Sequence, residues 1–313
     1  MSEVICVGIF VADIVAKPVE KLPKKGKLLL VDQMGLHSGG CACNTANALG
    51  KIGIKTGVIG KLGKDVLGDF MLNTMKSYNL NVQGIKRDPK THTSATMVLL
   101  SPDGERSFLH YMGANAEFSY NDIDFSLIKK YKVLLLSGFF VMPKLDGRPA
   151  AKLLKQAKLF GLTTALDTAW DATGKWFSLI EPCLQYTDIF LPSIEEAKMI
   201  SRKNSPEDIA VFFLNKGVKI VGLKMGEKGS YIRTKNEKYI IPPFKTKVVD
   251  ATGAGDSFVA GFLTGIIKKW HLKKTGEFAN AVGACCISAI GASSGIKTLN
   301  ETLNYIKKNA ISH

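Results

Sequence analysis

Lys247-Val248-Val249-Asp250-Ala251-Thr252-Gly253-Ala254-Gly255-Asp256-Ser257-Phe258-Val259-Ala260-Gly261-Phe262-Leu263 is the stretch that decides the fold. Val248 and Val249 read as the end of a strand. Gly253, Ala254 and Gly255 carry almost no side chain, and Val259, Phe262, Leu263, Ile266 and Ile267 then fall on one face of a helix. The first N–H groups of a helix have no internal partner, and the peptide dipoles make that end positive. Small residues let an anion approach those groups closely. Such a turn suits the charge that builds on a phosphoryl group in transfer, where losing one donor costs about 10²–10³ in rate. Asp256 sits in the first helical turn. It can cap the helix or take a proton from an attacking hydroxyl, and spacing alone leaves both open. A generic strand–helix turn needs no second carboxylate, however. Asp250 and Asp256 flank one pocket, which favours function over packing.

Outward from this turn, strands and helices alternate. Val4 to Phe10, Thr56 to Gly60, Val133 to Ser137, Thr163 to Asp167, Asp188 to Leu191 and Val218 to Lys224 read as strands. Asn44 to Ile52, Asp65 to Tyr78, Gly147 to Phe160, the segment from Ala251 and that from about Thr275 to Ile290 read as helices. This alternation predicts an α/β fold, a doubly wound and mostly parallel sheet covered by helices on both faces. Its ligands belong at the carboxyl edge of the strands. Lys27 to His37 and Thr93 to Tyr111 break the pattern and read as strands with turns, the second around Ser101-Pro102-Asp103-Gly104. They predict a small projecting sheet.

Composition removes several function classes. The chain has 313 residues, and 46% are hydrophobic, enough for a substantial core. The longest apolar run, Val133 to Met142, is too short for the ~20 residues of a membrane helix. The N-terminus enters a strand with no basic region or cleavage site, so no secretory signal is expected. Six cysteines at unsuitable spacings for a disulfide framework read as reduced thiols of a cytoplasmic protein. Cys41, Cys43 and His37 fall short of the four ligands of a structural metal site and read as packing residues. The net charge is +15, but the lysines are spread along the chain, which argues for a solvated basic surface rather than nucleic-acid binding. There is no G-x-x-x-x-G-K-[ST] motif and no G-x-G-x-x-G after the first strand.

Two separated motifs carry a family resemblance. Asp250 to Asp256, followed by Ala260 and Gly261, resembles the C-terminal signature of the ribokinase-like (PfkB-type) carbohydrate kinases. Gly39-Gly40-Cys41-Ala42-Cys43-Asn44-Thr45-Ala46, with Gly53 and Gly63 beyond, resembles the N-terminal one. The resemblance runs over essentially the whole chain. It implies one domain over 1–313, with a β lid formed by about 14–37 and 91–113, and transfer of the ATP γ-phosphoryl to a CH₂OH group of a sugar or sugar-like alcohol. A nucleoside kinase and a non-catalytic sugar-binding regulator on the same fold are the alternatives.

The resemblance also implies roles. Asp256 matches the catalytic base, and Gly253, Ala254 and Gly255 the anion hole. Asp13, Gly39, Gly40, Asn44 and Asp250 match substrate-binding positions. Ser193, Lys224, Gly226, Gly229 and Asn280 fall on the ATP side, and Glu196 matches a glutamate that acts on Mg²⁺ through water. Arg106 and Asn115, at the ends of the second lid stretch, are candidates for substrate contact on closure or, more simply, turn and surface residues. ATP, Mg²⁺ and, as in some relatives, a monovalent cation such as K⁺ are the implied cofactors.

The chain departs from the family pattern at Ser193, Ala251 and Lys224, where asparagine, a hydroxyl residue and threonine are commoner. Asp167-Thr168-Ala169-Trp170 lacks the asparagine and arginine of many fructokinase-like and ketodeoxygluconate kinase-like relatives. Cys41 stands where relatives acting on phosphorylated sugars often place a lysine, so a substrate without a phosphate is expected. The exposed edges of a small lid sheet predict a homodimer through the lid.

Overall fold

Val4–Gly8 (β1) is buried along its whole length, as a strand covered on both faces must be. Ile5 and Val7 pack with Leu134 and Leu136 in one apolar cluster. Val4 and Cys6 pack with Val133 and Leu135 in a second. Because alternate residues point to opposite faces of a strand, the two clusters are the two faces of one sheet. The structure, a computed structural model, describes residues 2–102 and 105–310. The remaining strands are β2 (Val11–Lys17), β3 (Gln33–Gly39), β4 (Thr56–Gly63), β5 (Asn81–Asp88), β6 (Ala95–Leu100), β7 (Arg106–Tyr111), β8 (Val133–Phe139), β9 (Thr163–Thr168), β10 (Ile189–Phe190), β11 (Ile220–Lys224), β12 (Ser230–Arg233) and β13 (Lys238–Ile241).

The large sheet runs β13-β12-β11-β10-β9-β8-β1-β4-β5. It is parallel from β11 to β5, and β12 and β13 add an antiparallel edge. Helices Arg148–Leu159, Phe177–Leu184, Ile194–Ser201 and Pro206–Asn215 cover one face. Helices Cys41–Ile52, Val66–Ser77, Ala254–Ile267 and Leu272–Cys286 cover the other. The fold is therefore the doubly wound α/β arrangement that the sequence predicts. Each large apolar side chain buried in these layers contributes about 1.5–3 kcal/mol.

The second sheet has the order β3-β2-β6-β7. Asp13, Thr96 and His110 share one row of it, with Arg106 and Phe108 on the same face. Leu36, Ile14, Met97 and Leu109 form a row on the opposite face.

Four expectations need correction. Val4 to Phe10 is not one strand: β1 stops at Gly8, and the chain crosses into the small sheet through Ile9 and Phe10. Residues 27–32 are not a strand, and Lys27 to His37 pairs only from Gln33. Val248 and Val249 end no strand, for both are exposed, and the amides of Val249 and Asp250 donate to Ile287 O at 2.8 and 3.3 Å. The segment is thus fastened to the end of a helix rather than to a sheet. The helix expected from Ala251 begins at Ala254, because Gly253 holds a left-handed φ of 76° that ends the turn first. Asp103 and Gly104 of the expected turn lie outside the described residues; β6 and β7 pair antiparallel on either side of them.

Candidate active site

Gly253 opens the helix Ala254–Ile267. A Cβ there would lie 2.5 Å from Ala292 Cβ, so both the backbone conformation and the space require glycine. Asp250 sets the turn that precedes it. Its Oδ1 accepts from Thr252 N at 2.9 Å and Thr252 Oγ1 at 2.7 Å, and its Oδ2 accepts from Gly291 N at 2.9 Å. Arg106, reaching from β7, donates to Asp250 Oδ1 at 3.3 Å and also to Thr252 Oγ1. Asp250 thus ties the small sheet, the glycine turn and the Gly291 loop together.

Asp256 sits in the first turn of this helix, and its carboxylate meets a second helix. Asn44 Nδ2, on Cys41–Ile52, donates to Asp256 Oδ2 at 2.8 Å, and Thr45 Oγ1 donates to the Asp256 main-chain oxygen at 3.2 Å. Burial raises the Asp256 pKa to about 7, and the negative charge of Asp167 adds to the rise, while Asn44 and Lys224 oppose it. Burial likewise raises Asp167 to about 6, against the pull of Lys224. Lys224 Nζ lies 2.5 Å from Asp167 Oδ1. Burial works against the Lys224 charge, but Asp167, Glu196 and Asp256 outweigh it and hold the ammonium protonated. Asp256, Asp167, Glu196 and Lys224 therefore form one charged cluster beside the glycine turn.

A family model for the pfkB family carbohydrate kinases matches residues 1–299. The chain belongs to the pfkB family of carbohydrate kinases. It is 29% identical over 297 residues to "Probable fructokinase-5" of Arabidopsis thaliana, covering 90% of this chain and 92% of that one. It is 30% identical over 287 residues to 5-dehydro-2-deoxygluconokinase of Clostridium beijerinckii, covering 87% and 84%. In fold it is similar to Arabidopsis thaliana ribokinase, solved complexed with ribose and ATP. That match has a TM-score of 0.84 and 24% identity, over 98% of this chain and 99% of that one. As a pfkB carbohydrate kinase, the protein is a phosphotransferase with an alcohol acceptor.

At the small sheet, Asp13 projects from β2 toward the diglycine. A Cβ at Gly39 would sit 2.6 Å from Asp13 Cγ, so the missing side chain makes room for the carboxylate. Burial raises Asp13 to about 6, with a hydrogen bond from Thr96 opposing. Gly40, at φ 91°, caps the helix that carries Asn44.

On the opposite side, Ser193 pairs with Lys224 in an isolated bridge. Ser193 and Glu196 form a capping box, and Glu196 Oε2 accepts from Ser193 N at 2.9 Å and from Thr168 Oγ1 at 3.0 Å. Gly226 and Gly229 bound the short turn that follows β11.

Two candidates stand apart from the cluster. Asn115 is buried, accepts from Phe10 N at 3.2 Å and donates to Phe10 O at 3.0 Å. Asn280 donates to Ile241 O at 3.0 Å and Pro242 O at 2.9 Å, which fixes the chain leaving β13.

Sequence reasoning passed over Asp167 as a site residue. Its signal was there: a carboxylate at the carboxyl end of an interior parallel strand, where ligands gather. Cys41 reads from the sequence as a packing residue, yet its thiol is pushed up by burial and by the Asp256 and Asp167 charges, so it belongs to the same pocket.

Proposed function

We propose that this kinase transfers the γ-phosphoryl group of MgATP to a primary hydroxyl of an unphosphorylated sugar or sugar-like alcohol. The observation that carries this reading is the Asp256 carboxylate, held by Asn44 at 2.8 Å at the mouth of the glycine turn. The acceptor oxygen attacks phosphorus in line, an O–P bond forms, and the bond to the bridging oxygen breaks with its electron pair on ADP. Asp256 takes the hydroxyl proton. The helix N-terminus at Gly253–Gly255 stabilises the charge on the phosphoryl oxygens. Asp13 and Asn44 orient the acceptor.

Among the described residues no group of three or more His, Cys, Asp or Glu side chains could cage a metal. That suits Mg²⁺, which keeps several waters and binds through one or two carboxylates and the substrate phosphates. Glu196 fits a contact through water, and Mg²⁺ when bound neutralises polyphosphate charge.

The small sheet is the proposed lid. Its Asp13 face turns to the site, and closure excludes the water that would otherwise waste ATP. Cys41 supplies no fixed cation for a second phosphate, which supports a free sugar over a sugar phosphate. All six cysteines are free thiols, which supports a cytoplasmic location. Among the described residues no helix is long and apolar enough to cross a membrane.

ADP release should be followed with MgATP against free sugars, sugar acids, polyols, nucleosides and sugar phosphates. One free sugar or polyol should turn over well, and Asp256→Asn should lose about 10²-fold or more. Faster turnover of a sugar phosphate than of its free sugar would overturn the substrate class. An Asp256→Asn variant as active as wild type would overturn the mechanism.

A further inference from the structure

The mechanism leaves one buried ion pair unused. Asp167 is 1% exposed and Lys224 12% exposed as side chains, and their charged atoms are 2.5 Å apart. Ser137 Oγ donates to the other Asp167 oxygen at 3.3 Å, so the carboxylate is held on both sides. The Lys224 main chain is fixed as well, its N–H donating to Pro192 O at 3.0 Å. On its free side the ammonium meets the glycine turn: a Cβ added to Gly255 would stand 3.5 Å from Lys224 Nζ.

A buried ion pair is weak evidence for stability, since well-packed apolar residues of similar volume often do as well or better. This pair therefore calls for a reason beyond packing, and its position supplies one. An ammonium fixed beside the helix N-terminus, in a pocket shielded from water, faces the place where phosphoryl charge develops. Such preorganised charge acts without reorganising at the moment of reaction.

We infer that Lys224 is a catalytic cation of this kinase, its ammonium facing the phosphoryl group in transit across the Gly253–Gly255 turn, and that Asp167 is the positioning residue that aims it. The inference rests on the MgATP-dependent kinase reading. Lys224 exchanges no proton: the acceptor O–P bond forms, the bond to ADP breaks, and the hydroxyl proton goes to Asp256 as before. The pair also bears on that base. Asp256 is faced by Asp167 of β9, Lys224 of β11, Cys41, Cys43 and Asn44 of Cys41–Ile52, and Cys286 of Leu272–Cys286. Removing the Asp167 charge eases Asp256 deprotonation, and removing the Lys224 charge hinders it.

The test measures kcat, the KM for MgATP and the pH profile for Lys224→Met, Lys224→Arg and Asp167→Asn, with the binding of MgAMP-PNP and MgADP by calorimetry. Lys224→Met should lose about 10²–10³ in kcat, and Lys224→Arg should retain more than Lys224→Met. Asp167→Asn should lose about tenfold or more in kcat with less than about threefold change in KM. The acid limb should move to lower pH in Asp167→Asn and to higher pH in Lys224→Met. The preference for the triphosphate over the diphosphate should narrow in Lys224→Met. A pair that only packs the pocket would not move the two limbs in opposite directions. If Lys224→Met does not fold, the double variant Asp167→Asn/Lys224→Met, which removes both buried charges together, carries the kcat and binding measurements. A variant lacking the ammonium with wild-type kcat and nucleotide preference, or limbs that shift the same way, overturns the inference alone. A folded wild type that phosphorylates no acceptor overturns the kinase reading on which it stands.

Discussion

Asp256 must be unprotonated before it can accept a proton, and its surroundings make that condition demanding. Burial and the Asp167 charge raise its pKa to about 7. The carboxylate is charged above that value and neutral below it. The kcat/KM of the free enzyme should therefore rise with pH along a limb centred near 7, some three units above an ordinary aspartate. A pH profile with an acceptor of constant ionisation checks this, and a limb near 4 would show that the carboxylate is solvated rather than buried. The place of this residue in the first helical turn was legible in the sequence, because the glycines before it mark the turn. Asp167 was less legible. Its partner is Lys224, 57 positions away, and only the pairing of β9 and β11 with β10 between them brings the two together.

At the scale of elements, the legible parts were those whose sequence is uniform along a strand or periodic along a helix. The fully buried strands β1 and β8 read directly from their apolar runs. The Val248–Val249 pair misled because β-branched residues signal a strand only when one face is covered, and both of these side chains face solvent. The crossing at Ile9 and Phe10 was hidden because its buried residues continue the apolar run of β1. What breaks the strand there lies far along the chain. Asn115, just beyond β7, gives its amide to the Phe10 N–H and C=O and so pins the junction of the two sheets. Asn115→Ala would leave both main-chain groups unpaired in a site with no exposure at Phe10. The expected cost is about 2–4 kcal/mol in urea unfolding, with the acceptor KM changed little among molecules that remain folded. A large rise in KM without loss of stability would instead place Asn115 in the sugar site.

The whole molecule raises the question of what covers the outer face of the small sheet. Its inner face carries Asp13 and Arg106, while the row Leu36, Ile14, Met97 and Leu109 points away from the site. Met34 is 64% exposed, Met97 42% and Leu109 52%. The chain itself covers part of this face, where Ala16 and Leu99 are buried with Val19 and packed by Val31, but the exposed remainder leaves a four-stranded sheet short of the packed face that small sheets need for stability, and apolar surface of this kind marks an interface. A second copy of the chain offers the same apolar rows and can pair with them about a two-fold axis, as most homodimers do. The protein is therefore expected to be a homodimer through the lid. Light scattering at micromolar concentration should report twice the chain mass. Met97→Lys with Leu109→Lys should give a folded monomer, since both side chains are already exposed. On the proposal that the small sheet is a lid whose closed state binds the acceptor, the acceptor KM should rise severalfold in that monomer, because a lid without its partner spends more time open. If wild type is a monomer with full activity, the lid is stable by itself and the apolar row needs another explanation. If the double variant is a monomer with unchanged KM, the dimer supports the fold but does not order the site.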